Sequence, residues 1–123
     1  MAYDLETMIA FFEMSPDGLV ITDEQGRASQ LNPSFERILG HSRDDILGSH
    51  IWDIMSMALP EDEKARLAPT LGREALLEHL RGGPDAKDNL LITARAHRHD
   101  GRRIWIEVYR MVLETGGQRR LAF

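Results

Sequence analysis

Two histidines near a predicted hairpin are the clearest candidates for metal chemistry in this sequence. His97 and His99 lie two residues apart on a predicted strand, so both would occupy one face, with Asp100 adjacent. Imidazole side chains at this spacing can chelate a metal ion. However, Arg98 and Arg102 flank the pair, which is typical of a solvated hairpin end. We therefore predict no metal site in this chain.

Residues typical of enzymatic catalysis do not form a recognisable set. The chain has no cysteine, which excludes disulfides, thiolate metal sites, cysteine nucleophiles and cofactors attached through sulfur. Asp44 and Asp45 are adjacent carboxylates, but they fall in the predicted first turn of a helix, where acidic residues favour the helix dipole. No pattern of a nucleophile with a base is visible. We therefore predict that the chain is not an enzyme.

The overall composition is that of a folded domain rather than a disordered segment. Hydrophobic residues make up 42% of the 123 positions and charged residues 28%, which is enough for one core. The net charge of −5, without a basic cluster, argues against a nucleic-acid partner. No apolar run approaches the ~20 residues of a membrane span, and Asp4 stands where a signal peptide would be basic. These features predict a cytoplasmic chain with no membrane segment.

The first predicted element is an amphipathic helix over residues 4–14. One face of this helix carries Leu5, Met8, Ile9 and Phe12 at the i, i+3, i+4 and i+7 positions. A turn over residues 15–18, with serine, proline, aspartate and glycine, then ends the helix. We assign residues 1–14 to a capping and dimerisation helix and residues 15–123 to a single domain.

Two predicted hairpins separated by short helices make up that domain. The predicted strands cover residues 19–22, 27–31, 90–98, 103–113 and 118–123, and the last of them is still running where the sequence stops. Between the hairpins, Asn32 and Pro33 begin a helix that Gly40 ends. This order predicts an α+β fold, in which about five antiparallel strands form a curved sheet. The short helices would cover one face, and the first helix the other.

The ordered turns, caps and hairpins of this chain resemble the PAS domain family. The resemblance rests on Ser15–Gly18 with Val20–Asp23, on Leu31–Phe35 with Leu39–Gly40, on Ile46–Gly48, and on Asp100–Gly101 with Trp105, Glu107 and Val108. The acidic turn Pro60–Asp62 also fits, although Leu59 replaces the histidine that commonly precedes the proline. The resemblance runs from about Phe12 to the end and implies a sensory fold with a hollow between sheet and helices.

The resemblance implies which side chains face that hollow. The candidates for a ligand pocket are Val20, Thr22, Phe35, Leu39, Ile51, Met55, Leu77, Leu80, Ile92, Ala94, Ala96, Ile106 and Val108. Ala94 and Ala96 are small, so either a neighbouring side chain or a small apolar ligand would fill the space beside them. Phe35 follows the Asn32 cap and is expected to be deeply buried.

The resemblance also bears on cofactors. Light-sensing flavin relatives carry a cysteine where this chain has Ile51, and polar flavin contacts where it has Ala96 and Ile106. A flavin photoadduct is therefore not expected, and a coumaroyl chromophore would need a cysteine. Haem-binding relatives carry a ligating histidine where this chain has Arg73. His79 on the same helix is an alternative ligand, or simply a histidine at the edge of an apolar face.

Dimerisation is the remaining expectation. The candidate interface residues are Leu5, Met8, Phe11, Phe12, Trp105, Tyr109 and Met111. The first helix would lie across the outer face of the sheet and pair with its copy in a homodimer. Alternatively, the helix folds back fully and the domain stays monomeric, or the helix pairs only when upstream and downstream segments are present.

These expectations give one main hypothesis for function and one alternative. The main hypothesis is a sensory and dimerisation module that binds a small apolar ligand and relays to an effector domain, such as a histidine kinase, a cyclase or a transcription factor. The alternative is a dimerisation module whose core is filled and binds no ligand.

Overall fold

The structure of the chain is a computed structural model that describes residues 4–82, 89–115 and 117–123. The helices within this part are α1 (Leu5–Met14), α2 (Pro33–Leu39), α3 (Arg43–Ile46), α4 (Ile51–Ala58), α5 (Glu61–Leu71) and α6 (Arg73–Arg81). The strands are β1 (Val20–Thr22), β2 (Ala28–Leu31), β3 (Asn89–His97), β4 (Arg103–Thr115) and β5 (Gln118–Ala122).

The five strands form one antiparallel sheet in the order β2-β1-β5-β4-β3. The predicted α+β fold with an antiparallel sheet of five strands is therefore confirmed. The last strand of the sequence lies in the middle of the sheet, and β2 and β3 form its edges. β5 therefore lies between the first hairpin, β1–β2, and the second hairpin, β3–β4, and joins them into one sheet.

Asn32 explains why α2 begins directly after β2. Its Oδ1 accepts hydrogen bonds from the backbone N–H groups of Phe35, at 3.1 Å, and Leu19, at 2.8 Å. Its Nδ2 donates to the carbonyl oxygens of Phe12, at 3.0 Å, and Asp17, at 2.9 Å. The predicted cap is therefore confirmed, and the same buried side chain also fixes the end of α1 and the start of β1.

The core lies between the inner face of the sheet and the helices α2 to α6. Alternation along β3 and β4 turns Ala94, Ala96, Ile106 and Val108 inward, and their neighbours in sequence outward. Ile46, Ile54, Leu71 and Leu76 pack over this face from the helices and are fully or almost fully buried. The inner face thus forms the floor of any internal site.

The first helix differs from the prediction in its position. No residue of α1 is buried, and Leu5, Met8 and Phe11 remain well exposed. Asn32 and Ser34 bind the carbonyl oxygens of Phe12 and Ser15, which holds the C-terminal end of α1 beside α2. Because the helix is held there, it does not bury the outer face of the sheet.

Some of the predicted boundaries also differ from the structure. β3 begins and ends one residue earlier than predicted, and β4 continues two residues further, to Thr115. Gly82 ends α6 in the left-handed conformation, with φ of 75°, as expected for a glycine cap. Residues 1–3, the predicted stop residues Gly83 and Pro84, and Gly116 in the last predicted turn lie outside the described residues.

Candidate functional site

A cavity of about 780 Å³ lies between the inner face of the sheet and the helices α2, α4 and α5, and its lining also includes the outward-facing side chains of Leu91, Trp105, Tyr109 and Met111. The predicted pocket residues that line it are Phe35, Leu39, Ile51, Met55, Ala94, Ile106 and Val108. The short Ala94 side chain leaves room at the centre of the floor, and no described side chain fills all of this room. The cavity therefore has the size and apolar character of a small-molecule site.

The other predicted pocket residues do not line this cavity. Val20, Thr22, Leu77, Leu80 and Ile92 belong to the surrounding core, and Ala96 lines a smaller cavity of about 460 Å³ near Pro60. The Thr22 hydroxyl donates to the carbonyl oxygen of Asp23 and accepts from the Leu121 N–H, at 2.8 and 3.0 Å. It is thus part of the strand ladder and not a group that faces a ligand.

Phe35 is only partly buried, so the expectation that it would be deeply buried is wrong. The reason is that it lines the cavity, where no described side chain covers it fully. Gly18 lies against it so closely that a Cβ on this glycine would be 3.0 Å from the Phe35 Cα. Phe35 therefore forms part of the cavity wall rather than part of the filled core.

Several lining residues were missed by the sequence analysis. They lie at or directly after the end of α4, in α5, in β4 and directly after β5: Ala58, Leu59, Leu67, Leu71, Ile104 and Phe123. Leu67 and Leu71 are four residues apart on one helix face, and this spacing is the signal that could have identified them.

Among the described residues, three charged residues line the cavity: Asp17 and Glu107, which are exposed, and Arg98, which makes hydrogen bonds to the protein. Arg98 lines the rim, but its guanidinium donates to the carbonyl oxygens of Arg37 and Ile38 at the end of α2. A guanidinium at this end of a helix satisfies carbonyl groups that have no partner within the helix. The walls that remain are mostly apolar.

His79, the alternative haem ligand, uses both of its ring nitrogens inside the protein. Its Nδ1 lies 2.7 Å from the carbonyl oxygen of Ala75, and its Nε2 lies 2.9 Å from the Arg110 Nη2. A carbonyl oxygen can only accept and a guanidinium can only donate, so Nδ1 is the donor and Nε2 the acceptor in this arrangement. Arg73 pairs with Asp53 at the surface. No histidine of the described part of the chain lines the cavity.

The predicted histidine pair at the hairpin is not part of a metal-binding cluster. Among the described residues, no group of three or more histidine, aspartate or glutamate side chains could hold a metal ion. Instead, the His99 ring packs against His41, with 4.5 Å between the ring centroids. Burial and the nearby His99 lower the pKa of His41.

His50 is a buried histidine that the sequence analysis did not single out. Its Nδ1 accepts a hydrogen bond from the Trp52 N–H at 3.1 Å, which caps the start of α4. Burial lowers the pKa of His50, and the nearby Arg73 lowers it further. The side chain thus helps to position α4, which supplies Ile51 and Met55 to the cavity wall.

Several solved structures of PAS and sensory domains are similar to this chain. A PAS domain of an HTR-like protein from Haloarcula marismortui is 24% identical, with a TM-score of 0.63, over 95% of this chain and 85% of that one. A domain of a sensory box sensor histidine kinase/response regulator from Geobacter sulfurreducens is 22% identical, with a TM-score of 0.66, over 95% and 89%. A PAS domain of a LuxR-family transcriptional regulator from Burkholderia thailandensis, in complex with ethanol, is 19% identical, with a TM-score of 0.62, over 98% and 94%.

The family to which the chain belongs follows from a match over most of its length. None of the curated proteins matches the chain, and in the described ranges no helix is long and apolar enough to cross a membrane. The family model of the PAS domain matches residues 16–123, which is most of the chain and includes all five strands. The chain therefore belongs to the PAS domain family.

Proposed function

We propose that this chain is the sensory module of a signalling protein and that it binds one small, uncharged, apolar molecule in the cavity between sheet and helices. The observation that carries the proposal is the cavity of about 780 Å³ beside Ala94. Occupancy of this cavity would be relayed to a separate effector domain, such as a kinase, a cyclase or a transcription factor. The sensor histidine kinase domain and the transcriptional regulator domain to which this chain is similar support this role.

The chemistry of the walls supports an apolar ligand. Each CH₂ group moved from water into such a site contributes roughly 0.8 kcal/mol to binding. An anionic ligand would lose its hydration without a free cationic partner, because Arg98, the one cation that lines the cavity among the described residues, is bound to the end of α2. The similar domain from Burkholderia thailandensis was solved with ethanol, a small uncharged molecule, and this supports the same class of ligand here.

Dimerisation is the second part of the proposal. The apolar side chains of α1 and of the outer sheet face remain uncovered in the single chain, with Phe11 70%, Trp105 71% and Leu91 61% exposed. Two such surfaces on one small domain are typical of an interface. We propose that a second copy covers them in a twofold homodimer.

The alternative is a dimerisation module without a ligand, and the exposed apolar surfaces favour dimerisation in both cases. The two proposals differ only in whether the cavity stays empty or holds a ligand. A test must therefore address the cavity and not the oligomeric state.

The test uses Nile red, an uncharged apolar dye whose fluorescence rises in apolar sites. Ala94→Leu places a larger side chain on the cavity floor, whereas Thr93→Leu adds the same side chain to the outer face one residue away. We expect Ala94→Leu to weaken binding about tenfold or more, because the dye and the leucine compete for the same space. Thr93→Leu should bind as the wild type does.

Two results would count against the ligand-binding proposal. Equal binding by all three proteins would place the dye outside the cavity. Absence of dye binding in the folded wild type, with a cooperative unfolding transition as the control, would favour the ligand-free module.

A further inference from the structure

His50 lies at the junction between the first hairpin and α4. The segment that leads into α4 runs beside the start of β2, where the Ala28 N–H donates to the Ser49 carbonyl oxygen at 2.8 Å. The Ile51 N–H donates to the Gly26 carbonyl oxygen at 2.9 Å. His50 is therefore enclosed between the hairpin and the helix, and only 3% of its surface is exposed.

The Nδ1 atom of His50 holds the first turn of α4. It accepts a hydrogen bond from the Trp52 N–H at 3.1 Å. Trp52 lies in that first turn, where backbone N–H groups have no carbonyl partner within the helix. The hydrogen bond of this N–H therefore depends on an unprotonated nitrogen of His50.

The Nε2 atom of His50 faces the turn of the first hairpin. A Cβ on Gly26 would lie 2.7 Å from Nε2, so the backbone of this glycine packs closely against the ring. No group among the described residues forms a hydrogen bond with Nε2. Because Nδ1 accepts a hydrogen bond, the neutral ring carries its proton on Nε2. A second proton would have to bind Nδ1, where it would meet another donor, the Trp52 N–H.

Charged groups approach His50 from three elements. They are Asp23 and Arg27 of the first hairpin, Asp53 of α4 and Arg73 of α6. The Asp53 carboxylate pairs with Arg73, and the Asp23 carboxylate accepts hydrogen bonds from two backbone N–H groups of its own turn. Burial lowers the pKa of His50 most, followed by Arg73. The ring is therefore neutral at pH 7, and it takes up its second proton only in acid.

We propose that His50 is a pH switch that opens the start of α4 and thereby weakens ligand binding in the cavity. A proton on Nδ1 would remove the acceptor of the Trp52 N–H. It would also place a positive charge at the N-terminal end of a helix, which the helix dipole disfavours. The first turn of α4 would therefore open and let the charged ring reach water. The effect on binding rests on the ligand site proposed above.

The first turn of α4 is also part of the cavity wall. Ile51 directly follows His50, and Met55 lies one turn further along the same face of the helix. Both side chains line the cavity. Opening of the turn would displace Ile51 from this wall. The proton and the ligand would thus favour opposite states of α4, and each would weaken the binding of the other.

The first experiment measures amide hydrogen exchange by NMR at pH 7.5 and pH 5, as protection relative to an unstructured peptide at the same pH. The Trp52 N–H reports the start of α4. The Leu121 N–H, which donates to the Thr22 hydroxyl at 3.0 Å within the sheet, reports opening of the whole fold. His50→Asn keeps a capping side chain but cannot titrate. His97→Asn is the matched control, because it removes a histidine and keeps His50.

We expect the protection of the Trp52 amide to fall about tenfold between pH 7.5 and pH 5 in the wild type and in His97→Asn. The reason is that the open state binds a proton with the ordinary affinity of histidine, so acid favours opening. His50→Asn should keep its protection. At pH 5 the Trp52 amide should exchange faster than the Leu121 amide, because the opening is local.

The second experiment measures Nile red binding by each protein at the same two pH values. We expect the affinity of the wild type to fall about twofold or more at pH 5, because only chains with a closed α4 retain the complete cavity wall. The affinity of His50→Asn should be the same at both pH values.

Four results would overturn the proposal. The first is unchanged protection of the Trp52 amide in the wild type. The second is an equal fall in His50→Asn, which would assign the effect to another group, such as His41. The third is equal protection of Trp52 and Leu121 at pH 5, which would mean that acid acts only by unfolding the whole chain. The fourth is an unchanged affinity for the dye while the Trp52 amide loses protection.

The two experiments separate this proposal from the proposed ligand site. Absence of dye binding by the wild type at pH 7.5 would count against the ligand site. The exchange of the Trp52 amide needs no ligand and would still decide whether His50 opens the start of α4.

Discussion

Phe35 shows how a single side chain can belong to both the core and the site. Its ring packs against the core and lines the cavity, so part of its surface has no protein neighbour. Ile54 on α4, in contrast, is fully buried. The energetic cost of truncating each side chain should reflect this difference.

We predict that Phe35→Ala lowers the free energy of unfolding by about 2 kcal/mol and Ile54→Ala by about 4 kcal/mol. Truncation of Phe35 should cost less than truncation of Ile54, although phenylalanine is the larger residue, because the Phe35 ring is only partly buried. Urea denaturation of both variants measures the two values. A larger loss for Phe35→Ala would mean that this ring is enclosed by protein in solution and that the cavity is filled.

His50 predicts a pH dependence of stability. Its pKa in the folded chain is lowered below the ordinary value of 6.5, mainly by burial. The unfolded chain therefore binds more protons, and the free energy of unfolding falls as the pH drops below about 6.5. His50→Asn keeps a capping side chain at the start of α4 and removes the titration.

We expect the stability of the wild type to fall more steeply between pH 7 and pH 5 than that of His50→Asn. Urea titrations at several pH values measure both slopes. His97→Asn is the control, since this histidine lies on the hairpin and not under a helix. Identical slopes for the wild type and His50→Asn would show that His50 is not held neutral by the fold.

Single residues were predictable where their role is local. The cap at Asn32 and the cap at Gly40 follow from residue type and short spacing, and both are confirmed. The bonds from Arg110 to His79 and to the carbonyl oxygen of Thr70 were not predictable. They join elements 31 and 40 residues apart, and nothing in the local sequence indicates which groups will meet.

The edge strand β3 is held by a pair of side chains from α5. Glu63 accepts a hydrogen bond from the backbone N–H of Arg95 at 2.8 Å, and Arg66 donates to the carbonyl oxygen of Thr93 at 2.9 Å. Glu63 and Arg66 also bind each other through two hydrogen bonds. The pair satisfies groups that another strand would otherwise bind, so it protects the edge of the sheet.

We predict that Glu63→Gln removes a stabilisation that depends on pH. Hydrogen bonds from Arg66 and from the Arg95 backbone lower the pKa of Glu63 from 4.5 to about 2. The folded chain therefore keeps the carboxylate charged, and the stability it contributes above pH 4.5 is lost as the pH falls toward 2. Acid unfolding followed by circular dichroism measures this loss.

Glu61→Gln is the matched control, because Glu61 lies in the same helical turn but is exposed and pairs only with Lys64 among the described residues. The wild type and Glu61→Gln should show the same dependence on pH, and Glu63→Gln a weaker one. If Glu63→Gln lost as much stability in acid as the wild type does, the Glu63 carboxylate would not be the source of the pH-dependent stability.

The elements themselves were largely predictable, and their packing was not. Periodicity identified α1 correctly from its apolar stripe and its Asp4 cap. The stripe shows which side of a helix is apolar but not which surface it meets, so the expected position across the sheet was wrong. The sequence analysis predicted the end of β4 two residues too early. Pairing with β5 extends the strand to Thr115, and the local sequence pattern does not reveal this pairing.

At the scale of the whole molecule, the uncovered apolar surfaces of α1 and the outer sheet predict a homodimer. We expect Phe11→Glu to shift sedimentation toward the monomer, because it would bury a charge in the interface. Ala10→Glu adds the same charge to α1, on the side opposite the apolar stripe, and should remain dimeric. A chain starting at Ser15 should be monomeric.

Two outcomes would oppose this prediction. A wild-type monomer at high micromolar concentration would mean that this chain alone does not dimerise. Full dimerisation of Phe11→Glu and of the chain starting at Ser15 would place the interface away from α1.

The central claim is that a small apolar molecule binds on the inner face of the sheet. Methyl NMR during titration with Nile red tests the position directly, because the two faces of the sheet carry different methyl groups. We predict that the signals of Met55, Ala94 and Ile106 shift on binding, while that of the Thr93 methyl group, which lies on the outer face and does not line the cavity, stays almost unchanged. A shift of the Thr93 signal, with Ala94 unaffected, would contradict the claim and place the dye on the outer face of the sheet.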